Sequence, residues 1–439
     1  MKPLSTRDDH AYMGASRRSA SCKRILVIAD SFVPTTTSTA KLVKDLVDEF
    51  VRRQIAVTVL IPSVSAEKPC EVSPENGIEV VRIQIGKTKG AGKVLRGLRE
   101  LSFSQCIWWR ARHILLSRSF DLIIFFSPTI FFGPLVRRLK ALFGCPAYLV
   151  VRDVWTQFML DVEELKLGLA YKYLERIERL QYSAADVIGV QSPRDLSYVN
   201  GSDASARRKV EVLLNWYAAP TNSSRQTSYR QTLGLSNCVL FFFGGNFGVA
   251  QDPLNILRLA ASLKQEPHIR FLLVGWGSHV RELHKVIAEQ ELTNVILRDA
   301  IPQDEFALLL TEIDVGIVSL DRRFKINNVP GRFMAYLSAG RPVLASVNPG
   351  NDLFSILGDG KAGYCCENGH DEVLREYALA LASNTVLREE LGRHARYLLE
   401  SVFSPKRAAD QVLNHFDDCG VVKSTRNSMV ASSGGRRET

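Results

Sequence analysis

The chain has 439 residues, 46% of them hydrophobic and 23% charged, with 29 Gly and 17 Pro, a mix inside the globular range that excludes a collagen-like, low-complexity or largely disordered protein. At about 150 residues per domain, that length makes two or three domains, each able to bury a core. Lys and Arg total 56 against 46 Asp and Glu, a formal charge of +10, which points to an anionic partner: nucleic acid, a membrane surface or a phosphorylated substrate.

Residues 1–21 and 419–439 are polar, without periodicity, and read as disordered tails. The first of them has no apolar core of the kind a signal peptide needs. Arg24–Ala29 (RILVIA) reads as a buried strand. Apolar residues then fall at helical spacing over Thr39–Val51. Ala56–Ile61, Ile78–Ile85, Asp121–Phe126, Ala147–Val151, Ala185–Val190 and Val210–Leu214 are further strands. The most apolar stretch, Leu122–Val136, is broken by Ser127, Pro128 and Pro134, so it reads as a strand and a helix start rather than a membrane span. Residues 215–237, polar and containing Pro220, are the linker candidate. The pattern restarts with strands at Val239–Phe243, Ile269–Val274, Val295–Leu297, Val315–Ser319 and Pro342–Ser346. Helices fit at 253–264, 278–290, 304–312 and 331–339. Continuous apolar strands alternating with helices make parallel sheets covered on both faces. The chain therefore reads as two doubly wound α/β units, with a ligand cleft at the carboxyl ends of their strands. A last helix, roughly Pro405–His415, fits either unit by periodicity.

Eight cysteines show no C-x-x-C and no regular spacing, against a disulfide scaffold or structural zinc and in keeping with a cytosolic protein. Cys145 and Cys238 lie in apolar runs and read as small core residues. The histidines form no metal-spacing pair, and His279 alone merits a test.

Four short segments carry chemistry. Gly244-Gly245-Asn246-Phe247-Gly248 follows a strand and precedes a helix, where glycines admit phosphate to the backbone. A plain strand-to-helix turn reads equally well. Gly275-Trp276-Gly277 opens like a dinucleotide fingerprint, but Val280 stands where its third Gly belongs. A nucleotide-base contact or structural turn fits better than NAD. Pro330-Gly331-Arg332 stands at a helix start, with Lys325 and Asn327 just upstream. Free helix-start amides and a guanidinium make a diphosphate cradle. Arg152-Asp153 ends a strand and faces the cleft, as catalytic residues or as an internal ion pair; Asp30 has the same logic.

The charge is uneven. Residues 1–220 hold 32 basic and 22 acidic residues, and the remainder 24 of each. Residues 82–118 hold nine basic residues against Glu100 alone, with Trp108 and Trp109 among them. From Val94 onward this segment can form a basic amphipathic helix suited to an anionic bilayer. No helix-turn-helix, zinc-finger or RNA-binding signature accompanies it, so nucleic acid is not the expected partner.

In this order, VRDVW (151–155), ERLQYSAADVIGVQSP (178–193), GGNFGVAQD (244–252), FLLVGWG (271–277), NNVPGRFMAYLSAGRPVLA (327–345) and NPGNDL (348–353) resemble the family 4 glycosyltransferases over residues 23–418. The nearest branch is that of bacterial N-acetyl-fucosamine transferases of O-antigen and capsule assembly. The resemblance implies a GT-B fold, α/β with two Rossmann-like domains facing a central cleft. Residues 22–218 would form the acceptor-binding domain, joined by a C-terminal helix at about 404–418 that crosses back. Residues 219–403 would bind the nucleotide sugar. The implied reaction moves a sugar, such as N-acetyl-fucosamine or another N-acetylamino sugar, from a UDP-sugar to a hydroxyl of a polyprenyl-diphosphate-linked saccharide. It would take place at the inner face of the cytoplasmic membrane, during O-antigen, capsule or exopolysaccharide synthesis.

By the same resemblance Pro330, Gly331 and Arg332 meet the donor diphosphate. Gly244, Gly245 and Asn246 line the cleft, and Gly275 and Gly277 border the base. Arg332, Asp153 and Arg152 are the catalytic candidates. Lys325 and Asn327 join the donor-binding set. No cofactor is implied, and no Asp-x-Asp motif calls for a metal. Two family glutamates eight positions apart are Asn327 and Ala335 here. An epimerase of the same fold or a weakly catalytic membrane scaffold are the alternatives.

Overall fold

A computed structural model describes residues 23–35, 37–85, 103–161, 165–200, 209–219, 229–323 and 329–416. Both tails and part of the 82–118 segment lie outside them.

The first domain runs β1 (Arg24–Ile28), α1 (Ser38–Arg52), β2 (Ala56–Ser63), β3 (Cys70–Glu75), β4 (Ile78–Gln84), α2 (Phe103–Leu116), β5 (Leu122–Phe126) and α3 (Gly133–Phe143). It continues with β6 (Ala147–Val151), α4 (Trp155–Asp161), α5 (Leu169–Tyr182), β7 (Val187–Val190), α6 (Asp195–Asn200) and β8 (Lys209–Val212). Its sheet has the order β3-β4-β2-β1-β5-β6-β7-β8. The strands are parallel except β3, which pairs antiparallel with β4. β1, β5 and β6 are apolar and buried almost throughout, because helices cover both faces. β3 alternates half-buried and exposed residues and carries Pro74. An edge strand of that kind shows no apolar run, so the sequence does not announce it.

The second domain holds α7 (Tyr229–Thr232), β9 (Val239–Asn246), α8 (Pro253–Ser262), β10 (Ile269–Trp276), α9 (Val280–Glu289), β11 (Val295–Asp299), α10 (Gln303–Glu312) and β12 (Val315–Ser319). Then come α11 (Gly331–Ser338), β13 (Val343–Val347), α12 (Leu353–Gly360), β14 (Gly363–Glu367), α13 (Asp371–Ser383) and α14 (Thr385–Val402). Its parallel sheet has the order β11-β10-β9-β12-β13-β14. β9 and β10 run further than their apolar stretches. Gly244–Asn246 and Val274–Trp276 are paired strand ends, not turns.

The last helix, α15 (Pro405–Asn414), starts with Ser404 accepting the Arg407 amide and Pro405 in its first turn. It buries Ala408, Ala409 and Val412 in the first domain's core. Arg53, just after α1, holds it through Asp410 at 2.6 Å. The connection between domains begins with anchored residues. Trp216 is fully buried and donates its indole N–H to the Leu42 carbonyl at 2.8 Å. The Tyr217 amide bonds the Phe403 carbonyl, and the Asn215 amide group bonds the Val329 carbonyl.

On α2, Trp108 is core and lies under the Arg138 guanidinium. Trp109 is 59% exposed, with Arg112 over its ring. Among the described residues no helix is long and apolar enough to cross a membrane. Cys145 is buried and Cys238 half-buried, and neither forms a disulfide.

A second contact joins the domains beside β7. The Ser192 hydroxyl donates to Asp352. The Arg194 guanidinium lies where a Cβ on Gly350 would sit, and Gly350 has a φ of +67°. Asp195 is buried there, with one carboxylate oxygen lacking a partner. Burial above all, then the nearby Asp153 and Asp352 charges, push its pKa up to about 7.

Two outcomes follow from these contacts. Trp216→Ala should cost about 3–5 kcal/mol in equilibrium urea unfolding, since it empties a large site and orphans a carbonyl. Asp195 ionises near 4 when unfolded and near 7 when folded, so its contribution is intact below about pH 4 and declines as pH rises toward 7. Asp195→Asn should therefore gain on the native protein over that window, by at most about 4 kcal/mol. Parallel unfolding curves at every pH would disprove it.

Candidate functional site

The site grows from two strand ends in contact. Gly275 pairs with Gly245, and a Cβ at Gly275 would fall 1.8 Å from the Gly245 carbonyl oxygen. Only glycine permits that approach. At Gly277 the φ is +153°, and a Cβ would meet the Phe247 carbonyl at 2.5 Å. As the chain leaves β9 and β10, the half-buried Gly245 and Gly277 place no side chain over the backbone.

α11 starts beside these ends. Pro330 is extended at its N-cap and offers no side-chain cap, so the first amides of the helix are open to a ligand. Arg332, in the first turn, lies 4.0 Å over the Phe243 ring. Its Nη2 donates to the Asn246 carbonyl at 3.4 Å, and its buried Nη1 has no partner. Burial pulls its pKa down to about 10, which leaves it a cation at neutral pH. One turn on, the Tyr336 hydroxyl accepts the Gly244 amide at 3.2 Å and donates to the Phe242 carbonyl at 3.3 Å. A cation with a spare N–H, a helix start and bare strand ends together suit an oxyanion. Lys325 and Asn327 lie outside the described residues. Ala335 is buried and brings no polar group.

A cavity of about 120 Å³ opens beside this group. Phe247, Gly275, Val280, His284, Leu297, Arg298 and Asp299 line it. Gly275 borders it, and Gly277 does not line it. His279 does not line it either, and its ring sits 3.8 Å from Glu282 at the start of α9. The sequence reading overlooked Arg298 and Asp299. They end β11 as Arg152 and Asp153 follow β6, and the same strand-end logic would have found them.

The first domain faces this group. A Cβ on Gly331 would be 4.0 Å from the Ser38 Cβ, so the starts of α11 and α1 meet across the cleft. Arg152 gives its guanidinium to Thr39 and Ser38 of α1, and its amide to the Ser127 hydroxyl at 2.8 Å. Its buried Nε has no partner. Asp30 is close enough to feel Arg152, yet burial still raises its pKa. Asp153, the next residue, has its charge felt at Asp195.

Comparison with known proteins follows the same division. Residues 39–216 match the family model for a glycosyl transferase 4-like domain, and residues 226–397 match that for glycosyl transferases group 1. The probable glycosyltransferase WbjE of Pseudomonas aeruginosa is 24% identical over 356 residues, covering 78% of this chain and 85% of that protein. Sucrose-phosphate synthase of Thermosynechococcus elongatus has a similar structure, with a TM-score of 0.70 at 16% identity over 91% of this chain and 100% of that one. HepE of Anabaena, solved with UDP, has a TM-score of 0.64 at 15% identity, covering 90% of this chain and 100% of its own. With both halves matched in order and both sheets wound alike, the chain belongs to the family 4 glycosyltransferases, transferase enzymes of the two-domain GT-B fold.

Proposed function

We propose that the enzyme transfers a sugar, N-acetyl-fucosamine or another N-acetylamino sugar, from a UDP-sugar to a hydroxyl of a polyprenyl-diphosphate-linked saccharide. The setting is O-antigen, capsule or exopolysaccharide synthesis at the inner face of the cytoplasmic membrane. The observation that carries the donor half is Arg332, a half-buried cation whose buried Nη1 lacks a partner beside glycine strand ends and a helix start. The UDP bound in HepE supports it. The acceptor half rests on the basic first domain and on the resemblance in sequence.

In this reading the donor diphosphate lies against the first amides of α11, with Pro330 and Gly331 shaping the turn. Gly244, Gly245 and Asn246 border the phosphates. The base enters the cavity past Gly275, while Gly277 holds the turn beside it. By the resemblance in sequence, Lys325 and Asn327 also belong to the donor-binding set. As the sugar–oxygen bond breaks, negative charge builds on the leaving UDP, and Arg332 stabilises it without moving. Arg152 and Asp153 orient the acceptor from the opposite wall. The chemistry needs no cofactor and no metal.

Purified protein given UDP-sugars and lipid-linked GlcNAc should release UDP and extend the lipid with one donor. No extension with any donor sinks the reading. Arg332→Ala should lower kcat by about 10²–10³-fold with a small change in melting temperature, and Arg332→Lys should recover part of it. Unchanged kinetics would remove Arg332 from the mechanism.

A further inference from the structure

α5 carries two faces of opposite character. Its inner face is tied down. Glu178 is buried, accepts the Trp155 amide at 2.9 Å and takes the Thr156 hydroxyl. Gln181 donates to the Thr129 carbonyl at 2.6 Å and accepts the Phe132 amide at 3.0 Å. A Cβ on Gly133 would fall 2.8 Å from the Gln181 Cα, so α3 packs on α5 backbone to backbone. The Glu178 bonds fix α5 to α4, which begins two residues after Asp153 at the cleft wall, and the others fix it to the segment that enters α3.

The outer face is different. Leu167 is 78% exposed, Leu169 87% and Tyr173 49%, and Leu180 is exposed beyond them. Leu169, Lys172, Tyr173, Arg176 and Leu180 recur at steps of three and four, one stripe of the helix. Lys166, Lys172 and Arg176 are exposed among these apolar groups, and Arg179 beside them is paired with Glu175 at 3.0 Å. Large apolar groups in water on a rigid helix need an occupant. Interleaved Lys argues against a protein partner, whose interface cores are depleted in Lys. Basic residues alternating with Leu and Tyr fit an anionic lipid surface, where the apolar groups enter the acyl boundary and the cations meet phosphate. The exposed Trp109 and Leu116 on α2 are of the same kind and belong to the same helical layer, since α2 packs on α3 and α3 on α5.

We infer that the outer face of α5, with Leu167 ahead of it, is a docking surface for an anionic bilayer. This adds a second element to the 82–118 segment and deepens the proposed lipid-linked acceptor, on which it rests for its purpose. Because Glu178 locks α5 to the start of α4, docking holds the Arg152–Asp153 wall of the cleft at the height of the lipid headgroups.

The test is flotation of the full-length protein with vesicles of phosphatidylethanolamine and phosphatidylglycerol. The native chain should float with these and not with phosphatidylcholine alone. Leu167→Ser with Leu169→Ser should reduce the bound fraction at least about tenfold, and Lys172→Glu with Arg176→Glu should do the same at low salt. Both variants should keep the native melting temperature and native transfer to a short-chain, water-soluble acceptor. Variants that float like the native protein overturn the inference. So does a native dimer in sedimentation that the leucine variant dissociates, since the face would then join two copies. Absence of transfer on every acceptor defeats the proposed function instead, and flotation still reads the surface.

Discussion

The contact between Gly245 and Gly275 is the constraint on which the site depends. The parallel strand ends approach so closely that Gly275 cannot carry a side chain, and a φ of +115° disfavours one at Gly245. The ends of β9 and β10 therefore carry no side chain at Gly244, Gly245 and Gly275. Arg332 uses that room: a Cβ on Gly245 would sit 3.4 Å from its guanidinium. The Phe243 ring supports the cation from beneath, and Tyr336 binds the same helix to the strand through Gly244 and Phe242. A cation held on an aromatic face and denied a full set of acceptors stays available to an anion, at the cost of its own desolvation.

The cleft exists because the two domains are held at several separate places. α15 returns to the first domain and buries its apolar face there. Trp216 plugs the same core and bonds the α1 backbone. Ser192 and Asp352 meet beside β7. With the domains pinned along this side, the starts of α1 and α11 come face to face, and the Arg152 hydrogen bonds to Ser38 and Thr39 stiffen the opposing wall.

Local pattern was legible wherever burial was two-sided. Ala147–Val151 and Val315–Ser319 match β6 and β12 residue for residue, since an unbroken apolar run has no other use in a parallel sheet. β3 and β14 were not legible, because each is partly exposed and, unlike the edge strands β8 and β11, has no run of aliphatic residues. The glycine segments read as turns because glycine weakens strands locally. Here strand pairing and close packing override that preference. Trp108 and Trp109 read alike in sequence. The helix turns one into the core and the other to solvent.

The amino-acid sequence by itself determined two α/β units, the position of the charge excess and the order of motifs that marks the family. Periodicity and composition record which face of each element is buried, and those are local properties. Only the tertiary structure decided that Arg332 keeps a buried N–H unpartnered, that Arg152 is engaged by hydroxyls of α1, and that Asp195 ionises near neutrality between two other carboxylates. Desolvation and hydrogen bonding at each of these depend on residues far away in the chain, brought together when the two sheets pack around one cleft.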